Sequence, residues 1–317
     1  MKVIRTLNPA ARKITRGSVL AIGIFDGFHR GHQKIIQSVL SEARKAGQRA
    51  GVMTFYPHPE SSLNHRPLPH IQTLKQRLQS LEAAGLDYGL IFSLEKEIFS
   101  WSGEEFARRI LAEKLQVSQV VIGENFRFGY RRQSSASDLK IFGQQFGFKV
   151  KILKRVIYKG QPVSSSLIRK LLLAGQIEQA NALLGHPYEI GGRVIKGRQI
   201  GRQLGFPTAN LQTENEILPT GVFLALTRID GKLWPSLLNI GFRPTFNERE
   251  LAVESLLLDF KGRLYGQTLS VLLLQKLRPE KRFKSVEALK QQIAEDVKTA
   301  KKYFEKQKKG GGIQLLA

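Results

Sequence analysis

AIGIFDGFHRGHQ, residues 21–33, decides how the first half of the chain is read. The apolar run SVLAIGIF that leads into it has the pattern of a short buried strand. Beyond it, HQKIIQSVLSEARKAG places Ile35, Ile36, Val39, Leu40 and Ala43 on one helical face, and Gly47 stands where a helix C-cap belongs. Gly23, Gly27 and Gly31 free the backbone for close approach to a ligand. A helix starting near His32 presents unpaired N–H groups and the positive end of its dipole, which suits a phosphate chain. His29 and His32 are two of only six histidines. Imidazoles at such a place are able to donate hydrogen bonds to phosphate oxygens as charge builds up on them. A histidine pair in a loop with no ligand is the competing reading, and HxGH alone does not decide between the two.

Working outward, strand-like and helix-like segments alternate. RAGVMTFY, YGLIFSL, SQVVIGENF and FKVKILKRVIY read as strands. TLKQRLQSLEAAG and SGEEFARRILAEKL read as the helices between them. This alternation predicts an α/β unit, a Rossmann-like parallel sheet covered by helices, with ligands bound beyond the carboxyl ends of its strands. Two short helices, SSSLIRKLLLAG and IEQANALLG, close the series. After Gly185 the pattern becomes antiparallel: strands joined by tight turns, with a hairpin signal at Asp230-Gly231. A β-barrel followed by the helix SVEALKQQIAEDVKTAKKYF is expected. The boundaries predicted are 1–184, 185–305 and a loose tail at 306–317.

Composition bounds the function. The 317 residues hold 42% hydrophobic side chains, no cysteine and no apolar run long enough to cross a bilayer. The basic N-terminus has no apolar core of the secretory type behind it, so a cytoplasmic protein with no membrane partner is expected. The formal charge is +24, spread over both halves: 28 Lys/Arg against 13 Asp/Glu in 1–182, and 22 against 13 in 183–317. Such a field attracts polyanions. Its even spread argues against a dedicated nucleic-acid partner. Oligomeric state is left open.

The second half lacks G-x-x-x-x-G-K-[ST], so any kinase here is not a P-loop enzyme. KGRQIGRQLGFPTANL offers another way to hold phosphates. Gly197, Gly201 and Gly205 free the backbone, while Arg198 and Arg202 supply charge. Thr208 and Asn210, two apart on an extended segment, put neutral oxygens on one side. Hard oxygens suit Mg²⁺, which keeps waters and takes further ligands from substrate phosphate. A strand-initiating turn is the alternative.

Five motifs occur in order: GIFDGFHRGHQ, TFYPHP (54–59), GENFRFG (123–129), VSSSLIRKLLLAG (163–175) and GFPTANL (205–211). Together they resemble those of the bacterial bifunctional riboflavin kinase/FAD synthetases, over roughly residues 15–305. The resemblance implies two activities: phosphorylation of riboflavin to FMN with ATP in the second half, and adenylylation of FMN to FAD, with release of pyrophosphate, in the first. It implies that His29 and His32 hold the ATP phosphates, with Gly23, Phe25, Asp26 and Gly31 of the same motif at the nucleotide. Asn125 would orient FMN, and Ser164, Ser165 and Arg169 would lie along the nucleotide. In the kinase half it implies MgATP at Thr208 and Asn210, nucleotide or flavin near Gly197, Gly205, Asn239 and Arg278, and Glu254 as general base.

Read from the residues alone, Glu254 is the one acid in an apolar strand, where desolvation raises a carboxylate's pKa. Alternation also allows it a solvent face. Arg169 as a surface helix residue and His58 as a turn residue are the plain alternatives for those two. Three positions depart from the family pattern: Leu167, where relatives have a second arginine; Gln133, in a turn that lacks the usual glycine; and Leu256, where relatives carry histidine. Retention of only one activity, or a flavin- or RNA-binding regulator on the same scaffold, are the competing functions.

Overall fold

The computed structural model describes residues 1–56, 68–92, 100–197, 199–242 and 251–309. Contacts divide the chain into two units, Met1–Ser165 and Ser166–Ala317. His58, Arg198, residues 243–250, and 310–317 of the expected tail lie outside the described residues.

The first unit is built on a six-stranded sheet in the order β1-β4-β3-β2-β5-β8, every neighbouring pair parallel. Its strands are β1 (Lys2–Ile4), β2 (Val19–Ile22), β3 (Ala50–Phe55), β4 (Tyr88–Phe92), β5 (Gln119–Gly123) and β8 (Lys149–Leu153). β2 is buried at every position, because both faces are covered. Alternate residues feed separate cores: Leu20, Ile22, Met53, Val120 and Ile122 on one face, Val19, Ala21, Val52 and Val121 on the other. The second core is shared with Ile36, Val39 and Ala43 of α2 (Arg30–Ala46), on the face the spacing predicted. From β2 the chain passes to β3 on one side, while β5 lies against β2 on the other. The crevice beyond the ends of β2 and β5 is therefore the topological switch point, where open α/β sheets bind ligands.

Several elements differ from the sequence reading. β1 and α1 (Pro9–Thr15) were not anticipated. β1 spans three residues, too few for periodicity, and α1 is announced only by its Asn8 cap and Pro9. α3 (Leu74–Ala83) matches expectation and opens with a capping box at Thr73 and Gln76. The next helix begins as α4 (Gly103–Phe106) but continues as a π-helix over Ala107–Lys114. Past Gly129, the turn expected to miss its glycine puts Arg131 (φ 49°) and Arg132 (φ 59°) in left-handed conformations. It sits between the short strands β6 (Arg127–Phe128) and β7 (Ser134–Ser135), which precede α5 (Ala136–Phe146).

The hairpin of β9 (Ile157–Tyr158) and β10 (Gln161–Pro162) follows β8. The second unit is a closed antiparallel barrel, β11-β12-β15-β14-β13-β16, formed by Tyr188–Ile195, Ala209–Thr213, Leu251–Leu257, Lys232–Phe242, Gly221–Ile229 and Thr268–Arg278. Two helices, α6 (Ser165–Leu173) and α7 (Ile177–Leu184), precede it. Asn181 of α7 donates to Leu273 O (2.8 Å) and accepts from Tyr188 N (2.7 Å), tying that helix to β16 and β11. A one-turn helix, α8 (Ile200–Gln203), stands before β12. The terminal helix α9 runs from Val286 to Lys309, further than the 306–317 tail allowed. Its Ala300 and Phe304 pack on Val222, Leu224, Leu226 and Leu237 and cover part of the barrel's outer face.

Candidate active sites

Directly after β2 the backbone is held in an uncommon path. Phe25 (φ 56°), Gly27 (φ 83°) and Phe28 (φ 38°) all have positive φ. For the two phenylalanines this costs on the order of 1–2 kcal/mol each, tolerable only where the surroundings over-determine the loop. They do so here. Thr54 Oγ1 donates to Ile24 O (2.8 Å), Gln33 Nε2 to Phe28 O (2.8 Å) and Ser165 Oγ to Asp26 O (2.9 Å).

The loop ends at α2 with His29 as N-cap, its Nδ1 accepting from His32 N at 3.3 Å. A ring nitrogen that accepts carries no proton, so the neutral His29 ring carries its proton on Nε2. The His29 and His32 rings stack at 3.6 Å with planes 16° apart, and Phe25 lies 5.1 Å from His32. A Cβ at Gly31 would come within 3.1 Å of the His29 ring, so glycine there makes room for the pair. His32 Nδ1 is buried with no hydrogen-bond partner among the described residues. Burial, then electrostatic coupling to the His29 ring and to the Arg77 charge, holds the His32 pKa well below its ordinary 6.5. At neutral pH the ring is uncharged and acts through hydrogen bonding.

The other predicted residues of this unit divide. Asn125 lies exposed just beyond β5, and Gly123 leaves room for its Oδ1, which would be 3.0 Å from a Cβ there. Ser165 serves the loop from beneath, and Gly23 donates its N–H to Met53 O (3.1 Å). Phe25 is fully buried and braces His32. Asp26 is 1% exposed, and its carboxylate accepts from Ile71 N and Gln72 N and faces Arg77, so it works inside the fold. Arg169 belongs to the second unit by contacts and is buried, which removes the surface-residue alternative; Ser164 is half-buried. Sequence reasoning missed Arg77. It falls on the apolar stripe of α3 with Leu74, Leu78 and Leu81, and a charge on a core-facing stripe was the available signal.

In the barrel, strand register assembles the second set. Asn210 pairs with Glu254, Glu254 with Asn239, Asn239 with Val222, and Val222 with Arg278. Directly opposed residues of antiparallel strands share a face, so four predicted residues on four strands stand in one row. Val222 places that row on the outer face, beside the cluster under α9. Glu254 is half-buried there, and Leu256 packs against the same cluster, which suits an apolar residue at that position.

The glycine segment lies over the row's edge. A Cβ at Gly197 would run into the Asn210 amide group, and one at Gly201 would stand 3.2 Å from Thr208 Oγ1. Gly205 (φ 86°) meets nothing, and its requirement is the turn itself. Arg278 is committed within the protein. Its Nε and Nη2 bond the Asp296 carboxylate (2.8–3.0 Å) and its Nη1 bonds Pro279 O (3.1 Å), anchoring α9 beside the row.

A histidine-capped helix at the switch point of a parallel sheet, followed by an antiparallel barrel with a Thr/Asn/Glu edge, defines a two-unit enzyme class: a nucleotidyltransferase joined to a flavokinase. Comparison with known proteins bears this out: residues 11–167 match the FAD synthetase family model and residues 184–304 the riboflavin kinase model. The chain belongs to the bifunctional riboflavin kinase/FMN adenylyltransferase family. It is 36% identical to the member from Buchnera aphidicola subsp. Schizaphis graminum, over 96% of this chain and 99% of that one. With the Pseudomonas fluorescens member it shares 39%, over 95% and 97%. A solved structure titled a macrolide-efflux protein from Streptococcus pneumoniae superposes with a TM-score of 0.83 at 29% identity, covering 95% and 99%. Among the described residues of this chain, no helix is long and apolar enough to cross a membrane.

Proposed function

We propose that this protein makes FAD from riboflavin in two ATP-dependent steps, phosphorylation in the barrel (185–305) and adenylyl transfer at the sheet (1–184). Family membership supports both activities. The observation that carries the assignment is that each unit holds its own set of reactive groups: the stacked His29/His32 pair at a helix N-terminus, and the Asn210–Glu254–Asn239 row.

At the sheet, the FMN phosphate attacks the α-phosphorus of ATP in line and pyrophosphate leaves. No protein nucleophile is needed, and positioning with charge stabilisation supplies the catalysis. His29 donates from Nε2–H, since its Nδ1 is taken by the helix. His32, neutral and stacked beneath, donates to the same phosphate chain. Asn125, at the end of β5, orients FMN. In the barrel, Glu254 takes the proton of the ribityl 5′-hydroxyl as that oxygen attacks the γ-phosphorus of ATP, and ADP leaves.

Thr208 and Asn210 suit a Mg²⁺ carried by ATP. Their oxygens are neutral and hard, Glu254 stands beside Asn210, and among the described residues no group of three or more His, Cys, Asp and Glu is placed to hold a metal by itself. Bound there, the ion would neutralise charge on the phosphates being transferred. The cytoplasm, where ATP is made available, is the compartment we assign.

The test separates the sites. Glu254→Gln is expected to lower FMN formation from riboflavin by about 10²–10⁴-fold while FAD formation from supplied FMN persists. His29→Ala with His32→Ala is expected to do the reverse. Chromatography of the flavin products reads both, and a joint loss in either variant would break the two-site assignment.

A further inference from the structure

Beneath the phosphate loop lies a buried ion pair, and the backbone oxygen of one member, Asp26, also accepts from Ser165 Oγ (2.9 Å). Arg77 is 0% exposed and Asp26 1%, with Arg77 Nη2 3.6 Å from Asp26 Oδ1. Arg77 Nη1 also donates to Thr54 Oγ1 (3.4 Å) and Phe55 O (3.3 Å), and Thr54 Oγ1 in turn donates to Ile24 O (2.8 Å). The guanidinium thus reaches both residues that flank Phe25: Asp26 directly and Ile24 through Thr54. Phe25 is the residue held at φ 56°, and its ring lies 5.1 Å from that of His32. On the other side Asp26 accepts from Ile71 N (3.0 Å) and Gln72 N (3.1 Å), fixing the segment that enters α3.

Burying two charges costs several kcal/mol per ion, and apolar residues of similar size often fill such a place with equal or better stability. A charged pair at this point therefore asks for a role other than stability. We propose that Arg77 and Asp26 are a positioning pair for adenylyl transfer, which grips the two residues around Phe25 and so fixes the ring that braces His32 in the stacked histidine pair. The inference rests on the reading of His29 and His32 as the groups that meet ATP.

The experiment uses the full chain and measures kcat and KM for FAD formation from FMN, melting temperature, and riboflavin phosphorylation in the same samples. Arg77→Met is expected to lower kcat about 100-fold, the scale of an ångström-sized misplacement, with KM for ATP within about threefold and riboflavin phosphorylation unchanged. Arg77→Lys, which keeps the charge but not the fork, is expected to recover part of that loss. The double variant Asp26→Asn/Arg77→Met buries no unpaired charge and decides the matter if Arg77→Met alone folds poorly. Its melting temperature is expected to return toward that of the parent while kcat stays low. A double variant with parental kcat would overturn the proposal and leave the pair merely structural. His32→Ala distinguishes the two levels. If it makes FAD normally, the reading of the histidines falls and the inference with it; if it is inactive while the double variant is active, the inference falls alone.

Discussion

His29 uses its side chain twice. As N-cap it accepts an N–H of the first turn, a job that Ser, Asp or Asn usually does. That bond leaves Nε2–H as the donor, so the cap sets the tautomer the chemistry needs. His32 below it is kept neutral by burial first, then by its electrostatic coupling to the His29 ring and to the Arg77 charge. Its folded pKa lies below the ordinary 6.5, so between those two values the unfolded chain binds more protons than the folded one. Stability then rises with pH across that window and is lost on acidification from about 6.5 downward. Thermal unfolding of the first unit followed over this range is expected to show that slope, and His32→Gln to flatten it. An unchanged slope in the variant would mean that the ring is not held neutral.

Among elements, the glycine segment before β12 and the loop after β6 solve opposite problems. Gly197 has no side chain because the Asn210 amide occupies the space. Gly197→Ala is expected to push Asn210 out of its row and lower riboflavin phosphorylation by about 10- to 100-fold. FAD formation from FMN should not change, and product chromatography separates the two rates. At 129–132 the chain keeps a left-handed path without glycine at Arg131 and Arg132. Gly129, where a Cβ would meet the backbone of Gly103, and the bond from Tyr130 N to Trp101 O (2.7 Å) pin that loop in place. The departure at Gln133 therefore leaves a turn that is held from neighbouring segments.

At the scale of the whole molecule, each unit has a core of its own: two layers on the sheet's faces, and a third beneath α9. Stability and activity are for that reason expected to separate. Phe304, 3% exposed, packs on the barrel's outer face. Phe304→Ala is expected to cost about 3–5 kcal/mol and to lower the barrel's unfolding temperature by on the order of 10 °C. Calorimetry, with the two activities assayed after heating, checks this. Riboflavin phosphorylation should fail first, while FAD formation from FMN survives to the parental temperature. Simultaneous loss would show one cooperative unit.

By itself the sequence determined the two kinds of architecture and the residues to watch. Period-3.6 and period-2 patterns are local, and motifs such as FDGFHRGH and GFPTAN carry their chemistry in adjacent positions. The helix face of Ile36, Val39 and Ala43, the parallel sheet and the barrel were legible on that basis. Register and burial were not, because they depend on which strands meet. Only the tertiary structure put Asn210, Glu254, Asn239 and Arg278 in one row, tied Arg278 to Asp296, and turned Asp26 inward to a buried Arg77. Those outcomes join residues tens of positions apart, and no local pattern encodes the partner of a charge that leaves water.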